Sequence, residues 1–424
     1  MIKFLIKGVL RDRARSLFPV LTVTAGVFLS VVGFSWINGI QSNWVEVTAK
    51  YNTGHLRVMS RAYADEVEQV PNDLAYIGVD QLLDNLRQDF PELTWTPRIR
   101  FGGLLDIPDE KGETKVQGPC MGMALDLLSE DSPEKELLNL KDSIIRGRLP
   151  EEPAEILITE EFAQRLGISM GETATLISAT MYGSMSIANF TVTGTVRFGV
   201  TAMDRSTIIA DISEIQKVLN MENTAGEVLG FFKTNLYDNE QAEEITERFN
   251  AKYSDKEDEF SPCMGTLLKQ SGMEDILGMV DMYGEVIIIV FIVVMSIVLW
   301  NAGLMGSLRR YGEIGVRLAI GEDKGHLYRS LITESLIIGF IGSVIGTVLG
   351  LLVSYYLQET GINIAFMMKD STLMMSDTFR ADVNAVSHYI GFIPGLAATF
   401  VGSLFSGLGI YKRKTSQLMK ELET

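Results

Sequence analysis

The chain has few of the side chains on which most enzymes rely. Its 424 residues include three histidines, His55, His326 and His388, which fall in separate regions of the sequence. We therefore expect no histidine-based metal triad. Neither a His-Glu-x-x-His nor a Gly-x-Ser-x-Gly motif occurs, which removes two common signatures of hydrolases. The sequence predicts no catalytic, cofactor-binding or metal-binding residues.

The dipeptide Gly-Lys is also absent from the chain. A P-loop needs Gly-Lys followed by Ser or Thr, because its lysine reaches the phosphates of the nucleotide. The chain therefore cannot use ATP through a P-loop of its own, and work driven by ATP would require a partner protein.

Cysteine is scarce, with only Cys120 and Cys263. Neither belongs to a Cys-x-x-Cys pair, which argues against a redox or zinc-binding role. Both lie in the same long polar segment, so an oxidising compartment would allow one disulfide between them. Sequence spacing does not show whether they meet, and two free thiols remain the alternative.

Charge is nearly missing from four apolar runs: Leu17–Ile40, Val286–Leu308, Leu331–Leu357 and Tyr389–Tyr411. Each run is long enough to cross about 30 Å of hydrocarbon as a helix. Glu334 is the one charged residue inside them. We predict four transmembrane helices, at 17–40, 286–308, 331–357 and 388–411. The first lacks a small-x-small cleavage site, so we interpret it as an uncleaved signal anchor.

The positive charges of the short segments predict the orientation. Residues 1–16 and 309–330 each carry five Lys or Arg, whereas residues 358–387 carry two. Positive charge concentrates on the cytoplasmic side of membrane proteins. Both termini should therefore be cytoplasmic, with 41–282 and the 358–387 loop outside. Residues 1–16 also have an amphipathic pattern, which predicts a helix on the inner membrane face before a bend at Pro19. Residues 412–424 form a cytoplasmic tail.

The 41–282 segment predicts one large external domain between the first and second membrane helices. It contains 42 acidic and 21 basic side chains, a net charge of −21, which argues against binding nucleic acid or anionic lipid. Alternating patterns predict a mixed α/β fold and a helical stalk at 264–285. Strands are predicted at 54–60, 94–106, 155–159, 173–178, 189–196, 207–211 and 228–234, and helices at 78–90, 160–166, 212–220 and 239–252.

The 309–328 segment lies between two membrane helices and is too short and too charged to cross the bilayer. Its mixture of apolar and charged residues predicts a short amphipathic helix on the cytoplasmic surface that suits docking to a soluble partner. A solvated loop is the alternative. The third and fourth helices carry glycines at close spacing, Gly342, Gly346, Gly350, Gly391 and Gly395, which favour close helix packing or a contact between two copies.

Several motifs resemble one membrane protein family. EIGVRLAIG at 313–321, with Thr-Glu-Ser at 333–335, is similar to the coupling-helix signature of FtsX/MacB/Lol-type ABC transporter permeases. PAEILITEEFAQRLGISMGETATL at 153–176 and the 190–220 stretch, where Asp204 follows Gly199, resemble the external domain of lipoprotein-releasing permeases. The tail departs from the family because it lacks proline.

The resemblance implies four membrane helices and a MacB-type periplasmic core domain inserted between the first two. It implies that 309–328 contacts a separate ATPase through Arg310, Glu313, Ile314, Arg317, Ala319 and Ile320. The implied partners are a cytoplasmic ABC ATPase dimer that binds the ATP, a second permease copy or paralogue, membrane lipid, and either lipoprotein cargo or a periplasmic adaptor, but no nucleic acid.

The implied function is that of a permease subunit in the cell inner membrane, most simply for lipoprotein release. MacB-like export of drugs, toxins or peptides and FtsX-like regulation of cell-wall hydrolases are the alternatives within the family. A membrane-anchored receptor or adhesin is the alternative outside it, and would need no ATPase.

Overall fold

The structure is a computed structural model of the chain. It describes residues 13–109, 111–234, 236–270, 272–275, 316–363 and 378–412, together with scattered positions between 278 and 300. The chain divides into two compact units. The helical unit comprises Met1–Ser42, Leu277–Ile362 and Phe379–Thr424, and the sheet unit comprises Asn43–Ile276 and Asn363–Thr378.

The elements of the described residues are numbered in chain order. The helices are α1 (Arg13–Thr48), α2 (Arg61–Asp65), α3 (Val79–Asp89), α4 (Glu134–Leu137), α5 (Leu140–Ser143), α6 (Glu160–Leu166), α7 (Thr201–Asp204), α8 (Ile212–Val218), α9 (Asn239–Tyr253), α10 (Leu267–Gln270), α11 (Lys324–Thr360) and α12 (Phe392–Lys412). The strands are β1 (Leu56–Ser60), β2 (Tyr76–Ile77), β3 (Leu93–Pro108), β4 (Thr114–Leu125), β5 (Ile144–Gly147), β6 (Glu155–Thr159), β7 (Thr173–Ala179), β8 (Met185–Val196), β9 (Thr207–Asp211), β10 (Thr224–Ala225), β11 (Glu227–Phe232), β12 (Pro262–Thr266), β13 (Ile362–Asn363) and β14 (Thr378–Phe379).

Within the described residues, three helical segments are long and apolar enough to cross a membrane: Leu17–Thr53, Lys324–Thr360 and Val386–Phe405. They include most of the predicted spans 17–40, 331–357 and 388–411. The predicted span 286–308 falls largely outside the described residues. Helix α1 runs from Arg13 to Thr48 with Pro19 inside it, so Pro19 does not end the helix, and the bend predicted there stays a prediction.

The sheet unit is built on ten strands in the order β12-β1-β11-β3-β4-β9-β6-β8-β5, with β7 bonded to β3 and β8, among the described residues. The pairings β3-β4-β9-β6-β8-β7-β3 therefore close a ring of six strands. Leu105, Ile158, Leu176 and Ile208, all fully buried, belong to its core. The mixed α/β nature of this domain is confirmed.

Strand β3 is long because it belongs to both halves of the sheet. Its first residues, Leu93 to Arg98, pair with β11, and the residues from Ile99 onwards pair with β4. Trp95 and Leu93 help form a second core with α3 and α9, in which Leu86 and Phe249 are buried. Strand β3 therefore joins the six-stranded ring to the part of the sheet that packs against α3 and α9.

Three predicted elements match the structure residue for residue: the strand 155–159, the helix 160–166 and the strand 207–211. Strand β4 was not predicted. The start of the predicted stalk is wrong, because Met264 to Thr266 lie in β12, paired with β1, and α10 begins at Leu267. Much of the remaining stalk, up to 285, lies outside the described residues.

The disulfide between Cys120 and Cys263 is not formed, and both cysteines are free. Cys120 lies on β4 and Cys263 on β12. Three strands, β1, β11 and β3, separate them in the sheet. At about 4.8 Å per strand the two Cα atoms are far beyond the reach of a disulfide, so the fold would have to open to bond them.

His55 is buried at the start of β1, with 5% of its surface exposed. Its Nδ1 accepts a hydrogen bond from the backbone N–H of Phe232 at 3.0 Å. The rings of Phe231, Phe232 and Tyr237 surround it, with centroids 5.4 to 5.7 Å away. Burial lowers the pKa of His55 to about 4, so the folded domain keeps this histidine neutral.

We predict that acid destabilises the sheet unit through His55. Between pH 6.5 and about pH 4 the unfolded chain binds a proton that the folded chain does not, so stability falls as the pH drops through this window. The loss amounts to about 3 kcal/mol at most. His55→Asn should retain an acceptor for Phe232 without titrating there.

Thermal unfolding of the purified chain in detergent, compared at about pH 7 and about pH 4.5, checks this. Wild type and His55→Asn share all other titrating groups, so the difference between their pH dependences isolates the histidine. Identical pH dependences would contradict the assignment.

Candidate functional site

The segment predicted to contact an ATPase is described from Val316 onwards. Of the six residues predicted there, Arg317, Ala319 and Ile320 are described, whereas Arg310, Glu313 and Ile314 lie outside the described residues. Residues 316–319 form a short helical turn directly before α11. We call residues 316–323 the coupling turn.

A glycine ends the helical part of the coupling turn. Gly321 has a φ of +97°, in the left-handed region that glycine adopts most easily. Its N–H donates to the carbonyl of Leu318 at 3.2 Å, and the N–H of Glu322 donates to the carbonyl of Arg317 at 3.0 Å. These two bonds form a Schellman motif, which satisfies the last carbonyls of the turn. The turn therefore stops before α11 begins.

The next two residues join the turn to α11. The carboxylate of Asp323 accepts from the N–H of Gly325 at 2.9 Å and caps the start of the helix. Glu322 lies between the two elements, with its carboxylate 2.8 Å from Nδ1 of His326 and 3.9 Å from Nε of Arg317. The connection between the turn and α11 is therefore held by backbone hydrogen bonds and by the carboxylate of Glu322, which lies near both Arg317 and His326.

The outer surface of the coupling turn is both apolar and cationic. Ile320 is 82% exposed and Val316 47% exposed. The Arg317 side chain is 50% exposed, and Ala319 is exposed as well. The turn therefore presents a large apolar side chain and a cationic one side by side on its exposed surface.

Sequence reasoning singled out the exposed residues of the turn but missed Gly321, Glu322 and Asp323. The signal was present, because a glycine followed closely by an aspartate is typical of one helix ending and another beginning.

The glycines predicted for helix packing lie between α1, α11 and α12. A Cβ placed on Gly342, Gly346 or Gly350 of α11 would lie 2.8 Å from the Cβ of Val23, Val27 or Val31 of α1, respectively. The glycines of α11 and the valines of α1 both recur every four residues. One glycine therefore meets one valine at each helical turn of the contact. The hydroxyl of Thr24 adds a bond across the contact, to the carbonyl of Gly342 at 3.3 Å.

The two glycines of the last predicted span pack against the same region where α1 and α11 touch. A Cβ on Gly391 would lie 2.9 Å from the carbonyl of Val27, and one on Gly395 would lie 2.6 Å from Oγ of Ser343. All five glycines are buried by helices of their own chain. This arrangement does not fit the alternative in which they form the contact between two copies.

Asp204, noted in the sequence for its spacing from Gly199, has a local structural role. Its carboxylate accepts from the N–H of Phe198 at 2.9 Å and from the N–H of Gly199 at 3.0 Å. In the part of the chain that the structure describes, no group of three His, Cys, Asp or Glu side chains could hold a metal ion.

Comparison with protein-family models covers both parts of the chain. Residues 16–252 match the model described as MacB-like periplasmic core domain, which is more than half of the chain. Residues 285–415 match the model described as FtsX-like permease C-terminal. The chain belongs to the FtsX/MacB-type family of ABC transporter permeases. The family identified from the sequence motifs is thereby confirmed.

The similar proteins are distant. The lipoprotein-releasing system transmembrane protein LolC of Haemophilus influenzae is 22% identical over 50% of this permease and 52% of its own length. LolC of Xylella fastidiosa strain 9a5c is 22% identical over 70% and 73%. An uncharacterized ABC transporter permease of Methanocaldococcus jannaschii is 22% identical over 49% and 50%. This permease thus spans about half the length of the first of them.

The periplasmic region of MacB from Actinobacillus actinomycetemcomitans is a similar solved structure. It aligns with a TM-score of 0.37 at 10% identity, over 56% of this permease and 95% of that chain. The curated relatives are named as a lipoprotein-releasing system transmembrane protein or as an ABC transporter permease.

We predict that a larger residue at Gly346 loosens the helical unit. A Cβ there would lie 2.7 Å from the carbonyl of Thr24 and 2.8 Å from Cβ of Val27, so Gly346→Val must separate α1 from α11. Overpacking of this kind costs about 1–3 kcal/mol. Val348→Phe is the matched control, because Val348 is 52% exposed on the same helix.

Thermal stability of both variants in detergent, read as the monodisperse fraction after heating, checks this. Gly346→Val should lose its monodisperse fraction at a lower temperature than wild type, and Val348→Phe should not. Equal stability of Gly346→Val and wild type would show that the helices do not meet at this face.

Proposed function

We propose that this chain is the permease subunit of an ABC transporter whose ATPase is a separate protein. The observation that carries the proposal is the coupling turn, which holds Ile320 82% exposed beside Arg317 at the start of α11. Family membership and the absence of Gly-Lys from the sequence support it, since a permease without a P-loop depends on a partner to hydrolyse ATP.

The proposed topology has four membrane helices, at 17–40, 286–308, 331–357 and 388–411. Both termini, the coupling turn and the 412–424 tail lie in the cytoplasm, and the sheet unit lies in the periplasm. The distribution of Lys and Arg supports this orientation. The three helical segments long enough to span a membrane and the match to a periplasmic core domain support it as well.

In the proposed mechanism, ATP binding closes two ATPase subunits, and each coupling turn moves with the surface it contacts. Helix α11 begins directly after the turn and has 37 residues, about 55 Å of continuous helix. Because its glycine face packs against α1 and α12, a displacement of α11 is passed to both helices. Helix α1 leads along the chain into the sheet unit, which then acts on the cargo without any reaction in this chain.

We propose a lipoprotein or a related lipid-linked molecule as the cargo. The names of the LolC relatives support this choice. So does the resemblance of residues 153–176 and 190–220 to the external domain of lipoprotein-releasing permeases. Export of drugs, toxins or peptides is the second candidate, favoured by the match to the MacB-like periplasmic core domain. Regulation of a cell-wall hydrolase fits less well, because an external domain of this size suits extraction or transport. The working assembly would be a pair of permeases with an ATPase dimer.

We predict that Ile320→Glu removes the ATPase from the purified permease. A carboxylate at the most exposed apolar position of the turn would be buried without a partner in the complex, which costs more than the about 1.4 kcal/mol needed for a tenfold loss of affinity. Tagged permease is purified from native membranes in detergent, and the bound P-loop protein and its vanadate-sensitive hydrolysis are measured. Glu313→Arg should have the same effect.

Ile187→Glu is the matched control, because Ile187 is 64% exposed in the sheet unit. It should retain the ATPase at the wild-type ratio. Retention of the ATPase by folded Ile320→Glu would contradict the docking role of the turn, and a wild-type preparation without any ATPase would contradict the proposed function itself.

A further inference from the structure

Three arginines of the central strands lie close to the places where the chain enters and leaves the sheet unit. Arg57 belongs to β1, and Arg98 and Arg100 belong to β3. Arg57 and Arg98 are each 2% exposed, and the side chain of Arg100 is 25% exposed. Buried guanidinium groups persist only where they are paired, so their partners show what they hold.

Two of the arginines hold the segment that enters the unit. This segment, Ala49–Thr53, forms a π-helical turn after α1. Arg98 donates through Nη1 to the carbonyl of Lys50 at 2.6 Å, and Arg100 donates through Nη1 to Oδ1 of Asn52 at 3.0 Å. Both bonds run from β3 to the entering segment.

The third arginine holds the segment that leaves the unit. Gln270, at the end of α10, accepts from Nε of Arg57 at 2.5 Å and donates to the carbonyl of Arg57 at 3.3 Å. Gly265 of β12 provides the space, because a Cβ there would lie 1.9 Å from Nε2 of Gln270. The amide of Gln270 thus packs against the paired residues Arg57 and Gly265.

Two buried glutamates pair with these arginines: Glu134 with Arg98, and Glu227 with both Arg57 and Arg100. Glu134, 0% exposed, accepts from Nε and from Nη2 of Arg98, each at 2.7 Å. Glu227, 1% exposed, accepts from Arg100 and lies 3.6 Å from Nη1 of Arg57. Polar contacts therefore run without a break from Gln270 through Arg57, Glu227 and Arg100 to Asn52. We call the three arginines and two glutamates the arginine cluster.

We propose that the arginine cluster is a positioning element of the transport cycle: it fixes the entering segment to β3 and the leaving segment to β1 of the same sheet, so that movement along either segment displaces the sheet as one body. Without these bonds, backbone rotation in the two short segments would absorb the displacement. The inference rests on the proposed function.

The composition of the cluster supports a mechanical role over a purely stabilising one. Buried ion pairs are often no more stabilising than apolar side chains of similar volume, because removing the charges from water offsets their attraction. Five buried or half-buried charged residues at this location therefore need a further reason. Their contacts with Lys50, Asn52 and Gln270, all in the two connecting segments, provide it.

The first variant removes the two segment side chains that contact the cluster, leaves the charges paired, and leaves the bond from Arg98 to the Lys50 carbonyl in place. In Asn52→Ala/Gln270→Ala, Arg100 retains Glu227, and Arg57 retains the same carboxylate. A second variant, Arg98→Met/Glu134→Leu, replaces the buried pair by apolar groups. Arg146→Met/Glu160→Leu is the control, because that pair, at 3.0 Å, lies on β5 and α6 away from both segments.

Two readouts are taken on the full permease with its ATPase. Amide hydrogen exchange of peptides covering 49–54 and 264–270 should become about tenfold faster in the first two variants and stay unchanged in the control. Cargo released per ATP hydrolysed should fall about threefold while hydrolysis itself continues at the wild-type rate, because the loss is in positioning. A merely structural role would lower both together.

Unchanged exchange, or faster exchange with unchanged cargo release per ATP, would overturn the positioning role while the proposed function stood. A wild-type permease without ATPase would instead overturn the proposed function, and with it the use of the cluster in transport.

Discussion

Hydrocarbon gives apolar helices no reason to associate, because lipid tails solvate leucine and valine as well as another helix does. The described helices of this permease are therefore held by close packing and by hydrogen bonds such as that from Thr24 to Gly342. Glycines along α11 let Val23, Val27 and Val31 of α1 approach the helix backbone, and α12 fits the same place. In the proposed mechanism, this tight contact passes a movement of the coupling turn to the rest of the helical unit.

The sheet unit meets a different constraint, since its core is built in water. Strand β3 connects the two parts of this unit. It pairs with β11 through its first residues and with β4 and β7 through its last. The same strand carries Arg98 and Arg100, so the hydrogen bonds of the sheet and the contacts of the entering segment share one backbone. The proposed movement of the sheet unit as one body rests on this shared backbone.

The sequence predicts elements well where local pattern and tertiary environment agree. Strand β6, helix α6 and strand β9 are short apolar stretches with clear boundaries, such as the glycine at 167. The predicted bounds of all three agree with the structure. Strand β4 was missed because Gly118, Pro119 and Gly122 interrupt its pattern, although the ring requires a strand there. Strand β12 begins with proline, which is tolerated at the first residue of an edge strand, and was taken for part of a helix.

The candidate sites could also be predicted only where a local sequence pattern marks them. Exposed residues of the coupling turn were found because an amphipathic pattern predicts a surface, and glycine spacing predicted which helix faces would be close. The arginine cluster was not found, because Arg98 and Glu134 are 36 residues apart and charged side chains are expected in water. Only the fold brings them together. The sequence left the pairing of the two cysteines open for the same reason, since strand order decides it.

The central claim is that the coupling turn touches an ATPase, and site-specific photo-cross-linking tests it most directly. A photoreactive phenylalanine analogue is placed at position 320 in cells, with position 348, exposed on the span of α11, as the comparison. The account predicts an ultraviolet-dependent adduct with a P-loop ATPase at 320 and none at 348. An adduct at neither position in a folded, membrane-inserted permease, or an ATPase adduct at 348 alone, would contradict it.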